Sequence, residues 1–140
     1  MSSESPAPSI DAAGRDQALL ERNQALLDSV VRGDWATYAQ HCSADLTCFE
    51  AETNGLLSEG LPFHKFYFDL PSDPSAAATP VVVTMARPHI RWIGTDAAVL
   101  SYTRLTQKLV AGEPVTASCC ETRIWQRLGD SWKQVHVHRS

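Results

Sequence analysis

From Pro80 to Ser140 the chain reads as strand after strand joined by short turns, and that run leaves few folds open. PVVVTMARPHIRWIG runs to a turn at Gly94–Asp96, AAVLSYTRLTQKLV follows, and AGEP turns the chain into VTASCCETRIWQRL. A turn at Gly129–Ser131 leads to WKQVHVHRS. Short turns between β-branched and aromatic runs specify an antiparallel meander. Pro88 lacks an amide hydrogen, so it predicts a bulge or a sheet edge in the first run.

The meander needs a cover for one face, and the first part of the chain supplies it. From Arg15 onward Leu19, Leu20, Ala25, Leu26, Leu27, Val30 and Val31 form a helical apolar stripe. Gly33 is a C-terminal stop, and Asp34 is placed to cap a second helix. There Trp35, Tyr38, Ala39 and Cys42 fall at i, i+3, i+4 and i+7. Residues 45–51 read as a short strand and 61–70 as a short helix. Pro71, Pro74 and Pro80 bracket a loop. Residues 1–14, rich in Ser, Pro and Ala, are expected to be a disordered tail ahead of one domain over 15–140. Helices before a meander give the α+β class, with N-terminal helices packed on a curved antiparallel sheet.

A chain of 140 residues suits one core. The net charge of −4 argues against a nucleic-acid partner, which needs a basic surface to displace counterions. No apolar run approaches the roughly 20 residues that span a bilayer, so no membrane partner is expected. The N-terminus lacks a signal-peptide pattern, which makes a cytoplasmic location the default. Cys42, Cys48, Cys119 and Cys120 show no CxxC spacing and read as buried free thiols. Cys119 and Cys120, adjacent in a strand, should face opposite sides of the sheet.

Each of SYTRLTQ, ETRIWQR and HVHRS carries an arginine in a strand. Alternation puts Arg104 on one face with Ala98, Leu100 and Tyr102, and Arg123 with Glu121 and Trp125. A four-residue AGEP loop pairs Val110 with Val115 and sets Arg104 opposite Glu121. A three-residue loop at Gly129–Ser131 pairs Leu128 with Trp132, so that Arg123 faces Val137 and lies diagonal to Arg139. Arg104, Arg123, Arg139 and Glu121 then converge. One carboxylate cannot neutralise three guanidiniums unless Glu50 or Glu52 also turns inward. Two readings stay open: a buried ion network that fixes the sheet, or a cavity with spare positive charge for a small carboxylate.

Other constellations are weaker. His136 and His138 form an HxH without third and fourth ligands at useful spacing, so no metal site and no cofactor are expected. His64 sits among aromatics and reads as packed. Glu50, Glu52, Glu59 and Glu121 are candidate bases without a partner visible in the sequence. GxGxxG, HRD, DFG, Walker A and G-x-S-x-G are all absent. Trp92, Trp125, Trp132, Phe66, Tyr67 and Phe68 exceed what a small core must bury and point to an oligomer interface.

Taken in order, GDWATY (33–38), LTCFE (46–50), EG-x-x-FHKFYF (59–68), PHIRWIG-x-DAA (88–98), Y-x-RLTQ (102–107), ETRIW (121–125) and W-x-x-VHVHRS (132–140) closely resemble the association (hub) domain of calcium/calmodulin-dependent protein kinase II. The resemblance implies a cone-shaped nuclear transport factor 2-like fold, shared with SnoaL-like and ketosteroid-isomerase-like enzymes. It implies self-association as dimers that build stacked rings. It also implies a cavity for small carboxylates formed by Arg104, Arg123, Arg139, His64, Glu121 and Glu50. No kinase catalytic or calmodulin-binding segment accompanies these motifs, so a kinase-bearing partner would have to supply those roles. The expected function is a free-standing oligomerisation domain, with no catalytic residues assigned. The alternative is a SnoaL or ketosteroid-isomerase-like enzyme acting on a small organic substrate. Ala51 stands where that family usually has proline, and 53–55 and the Pro71–Pro80 loop diverge, which bears on ring size.

Overall fold

The computed structural model describes residues 8–50, 55–69 and 80–140. Helix α1 (Pro8–Arg32) begins ahead of Arg15, so residues 8–14 of the expected tail are helical, while 1–7 lie outside the described residues. Its end follows from Gly33, whose φ of 68° is a left-handed conformation that glycine adopts without strain. The Gly33 amide donates to the Val30 carbonyl and the Asp34 amide to Ser29, which closes the helix as a Schellman motif. Asp34 then caps α2 (Trp35–Gln40), accepting from the Thr37 amide at 3.2 Å and the Thr37 hydroxyl at 2.7 Å.

Leu19, Asn23, Leu26 and Leu27 form the buried stripe of α1. Burial of each leucine contributes about 1.5–3 kcal/mol, far more than intrinsic helix propensity supplies. Asn23 is the polar member. Its side chain accepts from Trp125 Nε1 at 3.0 Å and donates to the Tyr102 hydroxyl at 3.1 Å. The helix is therefore keyed to the sheet by hydrogen bonds as well as by apolar contact.

The chain continues through β1 (Cys42–Phe49), β2 (Ser58–Glu59) and α3 (Leu61–Asp69) into the meander β3 (Val81–Ile93), β4 (Ala97–Val110), β5 (Glu113–Leu128) and β6 (Ser131–Arg139). Cys42, expected on the second helix, is the first residue of β1. The sheet order is β2-β1-β6-β5-β4-β3. Its pairs are antiparallel except β1 with β6, which run parallel. β3 is thus an edge strand, and it carries the bulge that Pro88 predicts. Arg87 and Pro88 fall at the register shift between Ala86 and His89, and Arg87 takes a φ of 53°.

Both later hairpins differ from expectation. Val110 pairs with Glu113, not Val115, because Ala111 and Gly112 form a two-residue turn with φ of 53° and 82°. A slip of two residues preserves side-chain parity, so every face assignment on β4 and β5 holds. Arg104 therefore lies opposite Cys119, and Tyr102 lies opposite Glu121. At the other turn Leu128 pairs with Ser131 across Gly129–Asp130, one residue tighter than expected. A bulge then shifts the register between Trp125 and Ile124. Trp125 faces Gln134 and Ile124 faces His136, so Val135 is passed over and Arg123 meets Val137 after all.

The core gathers Leu19, Leu26, Leu27, Tyr38, Leu46, Leu100 and Trp125 between the helices and the concave face. Residues 107–118, the far end of the β4–β5 hairpin, extend beyond the helix cover and are exposed on both faces. The aromatic surplus is largely absorbed within the subunit. Trp125 is fully buried, Trp92 packs edge-on against Trp132, and Phe68 packs on Trp35 and Tyr38. The side chains of Phe66 and Tyr67 lie outside the described residues. Among the described residues, no helix is long and apolar enough to cross a membrane.

Candidate functional site

The concave face of the sheet ends in a cavity of about 180 Å³ between α1, α2, α3 and the strands. Arg104, Arg123 and Arg139 line it, with Glu50, His64 and Tyr38. Val30 and Phe68 supply apolar wall. Glu121 is not among the lining residues. It lies directly behind two of the arginines, with its side chain removed from solvent.

Strand parity explains the convergence. Glu121, Arg123 and Trp125 alternate along the inner face of β5, and Ala98, Leu100, Tyr102 and Arg104 along β4. Glu121 Oε1 accepts from Arg123 NH2 at 3.0 Å and from the Tyr102 hydroxyl at 2.5 Å. Its Oε2 pairs with Arg104 NH1 at 3.1 Å. Arg123 Nε donates to the Tyr102 hydroxyl at 2.9 Å, and its NH1 donates to Gln134 Oε1. Gln134 in turn donates to Cys42 Sγ at 3.2 Å. Burial pushes the Glu121 pKa up, but Arg123, Arg104 and the Tyr102 hydrogen bond outweigh it and hold it below the ordinary carboxylate value. Burial likewise opposes the Arg123 charge, and Tyr102 and Glu121 outweigh that opposition.

Glu50 does turn inward. It pairs with Arg139 at 3.8 Å, so among the described residues two carboxylates face three guanidiniums. His64, from α3, is 5% exposed and its Nδ1 lies 2.8 Å from the Tyr38 hydroxyl. Burial, then Arg123 and Arg139, lower its pKa to about 4, so the ring is neutral at neutral pH. Two buried polar atoms here have no hydrogen-bond partner among the described residues: His64 Nε2 and Arg104 Nε. The arrangement presents oriented guanidinium donors in a space below the roughly 300–1,000 Å³ typical of drug-sized ligand pockets.

The structure brings together Arg104, Arg123, Arg139, Glu50 and His64 at one cavity, with Glu121 as their buried counter-ion. Glu59 lies on β2 and is exposed, and Glu52 lies outside the described residues. His136 binds Thr47 Oγ1 at 2.8 Å, while His138 is exposed beside Phe49. Cys42 and Cys48 are buried, Cys119 faces Glu121, and Cys120 points out and is exposed, contrary to the expectation of a buried thiol. Asn23, Tyr102, Gln134 and Tyr38 were missed as site residues. Asn23 carried a signal, since it interrupts an apolar stripe four residues from both Leu19 and Leu27. Tyr102 carried one too, because it shares parity with Arg104. Gln134 carried none, because its inward position depends on the β6 bulge.

The chain is similar to known proteins in both sequence and fold. The family model for the calcium/calmodulin dependent protein kinase II association domain matches residues 15–140. The delta subunit of calcium/calmodulin-dependent protein kinase type II from Oryctolagus cuniculus is 37% identical over 131 residues, which is 93% of this chain and 24% of the relative. The chain therefore spans about a quarter of that relative's length. The CamKII hub homology domain of C. reinhardtii is 48% identical, with a TM-score of 0.83 over 89% of this chain and 95% of that one. A nuclear transport factor 2-like superfamily protein from Salmonella enterica shares the fold, with a TM-score of 0.68, 19% identity and 92% coverage of both chains. That second likeness speaks to the cone-shaped α+β fold alone. The motifs, the fold and the match over 15–140 agree: the chain belongs to the calcium/calmodulin-dependent protein kinase II association-domain family.

Proposed function

We propose that this chain assembles with copies of itself as a hub subunit, and that its cone captures a small carboxylate between Arg104, Arg123 and Arg139. The observation that carries the binding half is the charge balance of the cavity. Among the described residues three guanidiniums face the two carboxylates Glu121 and Glu50, an excess of one positive charge that suits a monoanion. Arg104 Nε, buried and without a partner among the described residues, is a donor that an incoming carboxylate would satisfy.

Family membership supports the assembly half, as does the apolar surface at the end of the β4–β5 hairpin. Leu109, Val110 and Val115 are exposed there, with Val82 of β3 beside them. The same surfaces would admit kinase-bearing members of the family, which makes mixed assembly the natural route to any kinase role. An isomerase-type reading loses both described carboxylates at the cavity as bases, because Glu121 is held by Arg104, Arg123 and Tyr102 and Glu50 pairs with Arg139, and it would then rest on His64.

Light scattering coupled to gel filtration at micromolar concentration tests assembly, and the mass of a single subunit overturns it. Thermal unfolding against a panel of short carboxylic acids tests binding. A saturating excess of one hundred times Kd stabilises by about 2.7 kcal/mol per site. A panel that leaves Tm unchanged, or shifts that persist in Arg104→Ala, overturn the binding half.

A further inference from the structure

Among the described residues, the fold assembles one group of potential metal ligands that sequence spacing does not reveal. Cys48 is the last residue but one of β1, and Glu50 directly follows its final residue, Phe49. His64 comes from α3, which packs across β1. One ligand atom from each of Cys48, Glu50 and His64 lies within 4.8 Å of the others. We propose that these three side chains form a binding site for a transition-metal dication of the zinc class.

The second observation is His64 itself. The residue is 5% exposed, and its Nε2 is buried with no hydrogen-bond partner among the described residues. A buried polar atom left unsatisfied costs about 1–3 kcal/mol, so its retention calls for a reason. Its other nitrogen, Nδ1, lies 2.8 Å from the Tyr38 hydroxyl. With the proton on Nδ1 and donated to Tyr38, the Nε2 lone pair is left for a metal ion. This is the usual support for a metal-bound histidine, in which an outer partner fixes tautomer and ring orientation. Ser58 plays the matching part at the sulfur, with its Oγ 2.7 Å from Cys48 Sγ and able to donate to a thiolate.

The donor set selects the metal. A thiolate, an imidazole and a carboxylate suit zinc and its chemical relatives, whereas calcium and magnesium want oxygen alone. Three protein ligands leave a fourth position, and Glu50 and His64 both line the cavity, so that position opens into it. Ligand atoms about 2.0–2.3 Å from a tetrahedral centre stand roughly 3.3–3.8 Å apart, so the cluster need close by no more than about 1.5 Å on binding. The ligands themselves offset the ion's charge. Cys48 releases its thiol proton to solvent as the sulfur–metal bond forms, and thiolate plus carboxylate cancel the dication. The loaded site is therefore neutral beside Arg123 and Arg139. A carboxylate has two oxygens, so Glu50 can serve the metal while keeping its contact with Arg139.

Cobalt(II) titration of the chelator-treated full chain tests the site. The expected result is a near-ultraviolet thiolate-to-cobalt band with intense visible bands of four-coordinate cobalt, saturating at one ion per subunit and displaced by zinc. Cys48→Ala abolishes the thiolate band, the Cys119→Ser/Cys120→Ser double variant retains it, and Tyr38→Phe weakens binding about 10–100-fold. If circular dichroism shows Cys48→Ala to be unfolded, Glu50→Gln takes its place, with at least tenfold weaker binding expected. No thiolate band in folded protein, a band that survives in folded Cys48→Ala, or an affinity unchanged in Glu50→Gln overturns the proposal. Assembly and carboxylate binding are measured with chelator present, so their failure is separable from failure of the metal site.

Discussion

Glu121 and Arg123, two residues apart on the inner face of β5, are paired at 3.0 Å with almost no solvent contact. The pair is costly to desolvate and is sustained by neighbours: Tyr102 and Arg104 on the carboxylate, Gln134 and Tyr102 on the guanidinium. Such a pair is most consequential when half of it is removed. Glu121→Ala leaves Arg123 and Arg104 without their shared counter-ion, and we expect it to destabilise the fold by about 3–5 kcal/mol. Urea unfolding followed by tryptophan fluorescence measures this directly, and a loss below about 1 kcal/mol would contradict the network described.

The same carboxylate sets a pH dependence. Its folded pKa is lowered, because Arg123, Arg104 and Tyr102 outweigh the opposing effect of burial. The unfolded chain binds the corresponding proton near the ordinary value of about 4.3. The stabilisation is therefore complete above about pH 4.3 and is lost as the pH falls through the lower folded pKa. Thermal melts of wild type and Glu121→Gln across the acid range should show a Tm difference that is constant above that pH and shrinks below it. A difference that grows toward acid would reverse the assignment.

The α+β layout was legible because period and punctuation agree along most of the chain. Leu19, Leu26 and Leu27 mark the buried face of α1, and the turns fall where Gly94, Gly112 and Gly129 stand. The arginine convergence was legible because strand parity survives a slip of two residues, as happened between β4 and β5. The β5–β6 register was reached by a different route from the one expected: the turn is shorter by one residue, and the bulge at Val135 restores the count. Nothing local marks that bulge, so Gln134 could not be placed in the core. His64 was placed at the cavity only by the family resemblance, since its own neighbours read as simple packing. A short helix reveals its own faces, but its docking over β1 is a tertiary choice, so the group with Cys48 and Glu50 exists only in the fold.

Asn23 gives a test of how the helix is keyed to the sheet. Its side chain answers both Trp125 Nε1 and the Tyr102 hydroxyl, and all three residues are buried. Asn23→Leu keeps approximate volume but leaves the indole hydrogen without an acceptor, a cost of about 1–3 kcal/mol. By contrast Asp34→Ala, which removes the α2 cap, should cost about 1 kcal/mol. Denaturant midpoints of the two variants should rank in that order.

Val115 offers the sharpest handle on assembly. It is 39% exposed on β5, past the reach of the helices, and shares its sheet face with Val110. Because the described helices do not reach this end of the hairpin, a charge there meets solvent in the isolated chain and is expected to change folding stability by less than about 0.5 kcal/mol. In an assembly that buries it, the same charge must be stripped of water, and every 1.4 kcal/mol of that penalty weakens association about tenfold. Val115→Glu should therefore dissociate the assembly at least tenfold more readily in sedimentation experiments while its far-ultraviolet circular dichroism matches wild type. An unchanged sedimentation profile would move the contact surface away from the β4–β5 hairpin.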